Sequence, residues 1–236
     1  NTVSRLVADF LDWASMRAEI FGEVLELYPH RAVFWKSKGM LFLADLHLGK
    51  INHFRKAGIP VPQQANNKNL EALIDILNLT RPDRVICLGD LFHSHYNPEW
   101  EVFGELIKHF GNSAFELVLG NHDIMSDLQY VRKGILVHET LTIDPFIFTH
   151  HPMEEVGLMQ YNLSGHLHPG VNLRGKGKQS VTLPCFYFGE QAGLLPAFGA
   201  FTGIARNNPK KNDKVFVIVE DKVIAVHPNH EVESSL

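Results

Sequence analysis

Apolar positions along the chain change regime after the first seventeen residues. Val3, Leu6, Val7, Phe10, Leu11 and Ala14 recur at helical spacing, so an amphipathic helix is expected within 1–17, ahead of a single domain over 18–236. Residues 18–27 and 32–35 then predict strands, 36–39 a hairpin turn, and the fully apolar 40–44 another strand. Gly58, Pro60 and Pro62 predict a loop over 51–65. Leu70, Leu73, Ile74 and Leu77 predict a helix over 66–79, ended by Arg81-Pro82. Strand 85–88, helix 98–110 with Pro98 in its first turn, and strand 115–119 follow. This alternation predicts a βαβαβ unit with parallel strands. Later segments are short and strand-like: 135–138, 140–143, 146–149, 179–183, 185–188, 215–219 and 222–226. Glu220-Asp221 predicts a tight hairpin, and 206–214 a polar loop. One α/β domain with two facing sheets fits the pattern.

Charge narrows the function classes. The formal net charge is −4, which excludes a surface that is basic all over but leaves room for local basic patches. Two cysteines, Cys87 and Cys185, exclude a disulfide-built scaffold. No apolar run is long enough for a transmembrane helix, so no membrane association is expected. Residues 1–30 lack the pattern of a signal peptide. The expected compartment is the reducing cytoplasm. Histidine is the unusual residue, with fourteen copies.

Several histidines sit at strand ends. Asp45 and His47 end the first core strand, Asp90 the second, and Asn121 and His122 the third; His150 ends the 146–149 run, and His166 and His168 follow Ser164-Gly165. Open α/β sheets bind ligands just beyond the carboxyl ends of their strands. Residues two apart in extended chain point the same way, so Asp45 with His47, and His166 with His168, can each face one ion. Gly89, Gly120 and Gly165 precede candidate ligands, where a sharp exit from a strand needs glycine. Mixed carboxylate, imidazole and amide donors suit manganese, iron or zinc better than calcium.

The ordered blocks Asp45-x-His47, Gly89-Asp90, Gly120-Asn121-His122-Asp123, His150 and Gly165-His166-x-His168 resemble those of the calcineurin-like metallophosphoesterases. The resemblance spans about residues 18–226. It implies a four-layer α-β-β-α sandwich of two mixed β-sheets flanked by helices. It also implies two divalent metal ions, manganese first, with iron or zinc as alternatives. One ion would take Asp45, His47, Asp90 and His168, the other Asp90, Asn121, His150 and His166, with Asp90 between them. His122 would contact the scissile phosphate and protonate the leaving oxygen, and Asp123 would orient His122. The implied reaction is phosphodiester hydrolysis by a metal-bridging hydroxide.

The segments LFLADLHLGK, FRKAGIPVP and ICLGDLFHS are similar to a bacterial branch, the DNA ligase-associated phosphoesterases. That likeness implies a nuclease or phosphodiesterase acting on DNA in repair, in functional association with a DNA ligase and a helicase. The alternative is a phosphodiesterase or phosphomonoesterase of nucleotides. Lys50, His53, Arg55 and Lys56 form a basic loop beside the first block, and Arg174, Lys176 and Lys178 a second basic turn. Either could hold a phosphodiester backbone. Arg55, Lys56 and His93 are the candidate substrate contacts, with His95 and His151 also near. His109, His138, His227 and His230 read as surface or core histidines, and Cys87 as a buried core residue.

Overall fold

Phe21 and Gly22 take positive φ angles of 50° and 83°. Two such residues in succession fold a chain back on itself as a hairpin. The segment 18–27, expected as one strand, is therefore two: β1 (Met16–Ile20) and β2 (Glu23–Tyr28), paired antiparallel. The computed structural model describes residues 15–48, 64–92, 98–174, 179–199 and 202–226. The helix expected over 1–17 falls outside these residues, apart from Ser15, Met16 and Arg17, of which the last two open β1.

The first sheet continues with β3 (Ala32–Trp35), β4 (Met40–Ala44), β5 (Arg84–Leu88), β6 (Ala114–Val118) and β7 (Ile135–His138). Its strands stand in sequence order, antiparallel from β1 to β4 and parallel from β4 to β7. The parallel crossovers carry α1 (Gln64–Thr80), α2 (Pro98–His109) and the short α3 (Asp127–Arg132). These strands read as continuous apolar runs because both faces are covered. Leu41, Leu43, Val85, Cys87, Phe115 and Leu117 face the helices, packing with Leu73, Ile76, Leu77, Trp100 and Phe103. Phe42, Ala44, Ile86, Leu88 and Val118 face the second sheet.

That second sheet holds β8 (Leu141–Ile143), β9 (Phe146–Thr149), β10 (Tyr161–Ser164), β11 (Pro169–Arg174), β12 (Ser180–Phe188), β13 (Ala192–Leu194), β14 (Ala205–Arg206), β15 (Lys214–Val219) and β16 (Lys222–Val226). Its main path runs β14-β11-β12-β13-β10-β9-β8, with β15 joined to β12 and β16 to β15. The runs 179–183 and 185–188 form one strand, β12. It pairs with β11 as far as Pro184 and with β15 from Cys185 onward, so the residue without an N–H lies where the neighbour changes. Between the sheets, Phe42 meets Phe148 at 5.3 Å and Trp35 meets Phe146 at 4.9 Å between ring centroids, both edge-on. Such pairs contribute about 0.5–1.5 kcal/mol beyond their buried area. The fold is thus two facing mixed sheets, and the three described helices cover the first. No helix among the described residues is long and apolar enough to cross a membrane.

Candidate metal centre

The carboxyl ends of β4, β5 and β6 open on the same side as those of the parallel pair β9 and β10, and the strand-end residues meet there. Local backbone shape does much of the positioning. Asp45, His47, Asp90, His166 and His168 all take positive φ, between 46° and 64°. This left-handed region is unfavourable for residues with a side chain, and such strain gathers at functional sites. Backbone bonds fix the strand ends to one another: the N–H of Asp45 donates to the Gly89 carbonyl (3.2 Å) and that of His47 to the Asp90 carbonyl (2.8 Å). Glycine is required where backbone and ligand crowd. A Cβ on Gly89, which sits at φ 75°, would lie 2.0 Å from Nδ1 of His150, and one on Gly165 2.6 Å from Oδ2 of Asp45.

Two donor sets result, with Asp90 facing both. In the first, Oδ1 of Asp45 lies 3.4 Å from Nε2 of His168, and Oδ2 of Asp90 lies 3.7 Å from Nε2 of His47. In the second, Nε2 of His150 lies 3.0 Å from Oδ1 of Asn121, 3.2 Å from Nδ1 of His166 and 3.5 Å from Oδ1 of Asp90. The remaining carboxylate oxygen of Asp45, Oδ2, accepts the N–H of His166 at 2.9 Å. Asp45, His47, Asp90 and His150 are buried. Desolvation lowers the pKa of His166, and neighbouring His151 and His150 lower it further.

The donors fit cations. Nδ1 of His168 faces the Gly203 carbonyl at 3.1 Å, which places the ring proton there and a lone pair on Nε2. That lone pair meets Oδ1 of Asp45, and both buried atoms lack a hydrogen-bond partner. Nδ1 of His150 likewise faces the Leu88 carbonyl at 3.1 Å, so its Nε2 lone pair points into the second set. Lone pairs converging in a buried, carboxylate-bearing pocket repel one another unless positive charge lies among them. Asp45, His47 and His168 lie close enough together to hold a metal ion, as do Asp45, Asp90 and His150.

His122 stands at the rim. Its own N–H donates to Oδ1 of Asp90 at 2.9 Å, and its ring centroid lies 5.9 Å from that of His47. Asp123 braces the turn: its carboxylate accepts the N–H groups of Gly120 (2.9 Å) and Phe92 (3.1 Å). Desolvation pushes the Asp123 carboxyl up to about 6, and these two donors work against that rise. Arg55, Lys56, His93 and His95 lie outside the described residues, as do Lys50, His53, Lys176 and Lys178. Only the backbone of Arg174 is described, in β11. His138 is structural: its Nε2 lies 2.8 Å from Oε2 of buried Glu116, which Arg84 also holds through two bonds, at 2.6 and 3.0 Å. Burial pushes the Cys87 thiol up to about 12, in keeping with an inert core residue.

Three supporting residues carry no recognisable motif. Buried Asn162 donates to the carbonyl of Ile147 (3.0 Å) and to Oγ1 of Thr149 (2.8 Å), and its Oδ1 accepts the N–H of Met153 (3.0 Å). Thr149 in turn donates to the carbonyl of His151 at 2.6 Å, so the pair clamps the turn that bears His150 and His151. Arg31 donates to the carbonyls of Ala197 and Gly199, and the N–H of Gly199 donates to the Asp45 carbonyl. Each is a polar residue in an unremarkable stretch, and only its partners reveal its use.

A family model described as calcineurin-like phosphoesterase matches residues 40–232. A nuclease of Pseudomonas putida, MPE, superposes with a TM-score of 0.75 at 26% identity, covering 90% of this chain and 100% of its own. The phosphoesterase YfcE of E. coli gives a TM-score of 0.42 at 12% identity, over 80% of this chain and 99% of its own. A comparison with curated proteins returns no match. The matched family segment contains every strand end that converges on Asp90, and on that ground the chain belongs to the calcineurin-like phosphoesterases, hydrolases of phosphoester bonds.

Proposed function

We propose that this chain is a dimetal phosphodiesterase that cleaves DNA. The observation that carries the reading is the placement of Asp90, whose two carboxylate oxygens face two separate donor sets. The likeness to a nuclease over the full length of that protein supports the choice of a nucleic-acid substrate. The branch resemblance of the opening motifs supports a setting in DNA repair, beside a DNA ligase and a helicase.

Two divalent ions, manganese foremost, would supply Lewis-acid polarisation and a water of lowered pKa. The chain's own residues do the rest. Asp45, His47 and His168 hold one side of the centre, and Asn121, His150 and His166 the other. His122, tied to Asp90 through its backbone, would protonate the leaving oxygen as general acid. Asp123 keeps the 120–123 turn in place. Arg55, Lys56 and His93 would contact the phosphodiester backbone.

The test is a substrate panel with the manganese-loaded protein: single-stranded DNA, bis-p-nitrophenyl phosphate and p-nitrophenyl phosphate. DNA and the diester should be cleaved and the monoester poorly. Turnover of small esters that exceeds DNA cleavage by orders of magnitude would favour the nucleotide phosphoesterase instead. Replacing Arg55 and Lys56 together with alanine should reduce DNA cleavage more than turnover of the nitrophenyl diester.

A further inference from the structure

His151 belongs to neither donor set above, yet its ring lies against both imidazoles of the second. Its centroid is 4.0 Å from that of His166 and 4.7 Å from that of His150. One ring nitrogen from each of His150, His151 and His166 lies within 4.8 Å of the others. Nitrogen ligands bind such ions at about 2.0–2.1 Å, so three of them around one ion stand about 3–4 Å apart. The three nitrogens thus already stand close to ligand spacing, with the His151 ring exposed.

The backbone is also held where ligation would need it. The His151 carbonyl accepts from Thr149, and Thr149 accepts from Asn162, both of them buried. The relay fixes the backbone from which the His151 ring projects, beside that of His150. We propose that His151 is a third imidazole donor to the ion held by His150, His166, Asn121 and Asp90. The inference rests on the two-ion reading and deepens it.

A chemical consequence follows. The Asp45 side offers two carboxylates and two imidazoles, whereas the His150 side would offer three imidazoles, one carboxylate and one amide oxygen. Imidazole favours iron and zinc over manganese relative to carboxylate. The two positions therefore differ in preference, with the softer ion on the His150 side.

The test is titration of the metal-free full chain with Co²⁺ alone, followed by calorimetry and by the visible d–d bands of bound cobalt. Wild type should bind two ions. His166→Ala should lose the ion on its side. His151→Ala should weaken one of the two ions by about 10-fold or more and leave the other unchanged. His151→Asp, which restores a donor, should recover part of that affinity. If the His151→Ala isotherm matches wild type while His166→Ala loses an ion, His151 is not a donor and the inference is overturned. If wild type binds fewer than two ions the two-ion reading beneath it fails, and if His166→Ala binds two ions as tightly as wild type the ligand set to which His151 is added is wrong. His151 is exposed, so unchanged thermal melting of the metal-free variants is expected.

Discussion

Nε2 of His168 lies 3.4 Å from Oδ1 of Asp45, and neither buried atom has a hydrogen-bond partner. The other nitrogen of His168 faces a backbone carbonyl, so in the neutral ring Nε2 offers a lone pair to that carboxylate. The pair costs stability in the apo protein and repays it when a cation binds.

Metal should therefore stabilise the fold measurably. At a free concentration about 100 times its dissociation constant, one ion adds about 2.7 kcal/mol. For a chain of this size that raises the melting temperature by about 5–11 °C. Calorimetric scans with manganese and with EDTA check this. Coincident melts would sink the fit argument.

Gly89→Ala should damage the centre without touching a ligand. The residue sits at φ 75°, and its new Cβ would collide with Nδ1 of His150 at 2.0 Å. Backbone strain alone costs about 1–2 kcal/mol. The larger effect is displacement of His150, seen as loss of one ion in metal analysis and loss of turnover. Two ions at wild-type affinity would show that the His150 position tolerates the shift.

His122→Ala should keep its metals and lose turnover. Among the described residues its imidazole joins none of the groups of three or more His, Cys, Asp or Glu that could hold an ion, whereas its N–H, which the variant retains, anchors the turn to Asp90. General-acid loss costs about 10²–10⁴-fold. The loss should be larger on DNA, whose alkoxide leaving group needs a proton, than on a nitrophenyl diester. Equal losses on both substrates would remove the acid role.

Acid stability should depend on Glu116. Burial raises its carboxyl pKa, but the bonds from Arg84 and His138 outweigh burial and the net shift is downward. A carboxyl lowered in the folded state gives stability that is fully present above the ordinary glutamate value of about 4.3. That stability is lost as the pH falls through the lower folded value. Arg84→Met should cost about 1.5–3 kcal/mol at neutral pH and flatten the acid limb. Denaturant midpoints between pH 7 and 3 measure both effects, and an unchanged acid limb would contradict the assignment.

What the sequence determined by itself was the periodicity and the chemistry at its breaks. The apolar runs of β4, β5 and β6 announce strands covered on both faces, and their ends mark Asp45, Asp90 and Asn121 as neighbours. Shape elsewhere was decided in three dimensions. Phe21-Gly22 splits one strand-like segment into a hairpin because two successive positive φ angles reverse the chain, which composition does not display. The short β10 is legible only through its parallel partners β9 and β13, since four residues carry too little pattern. The site follows the same division. His150 and His166 were readable as strand-end histidines, but the position of His151 against them, and the Asn162–Thr149 relay that holds it, come from segments packed side by side. Donor types are local facts of the chain, whereas the distances that make them a centre arise when two sheets bring five strand ends to one point.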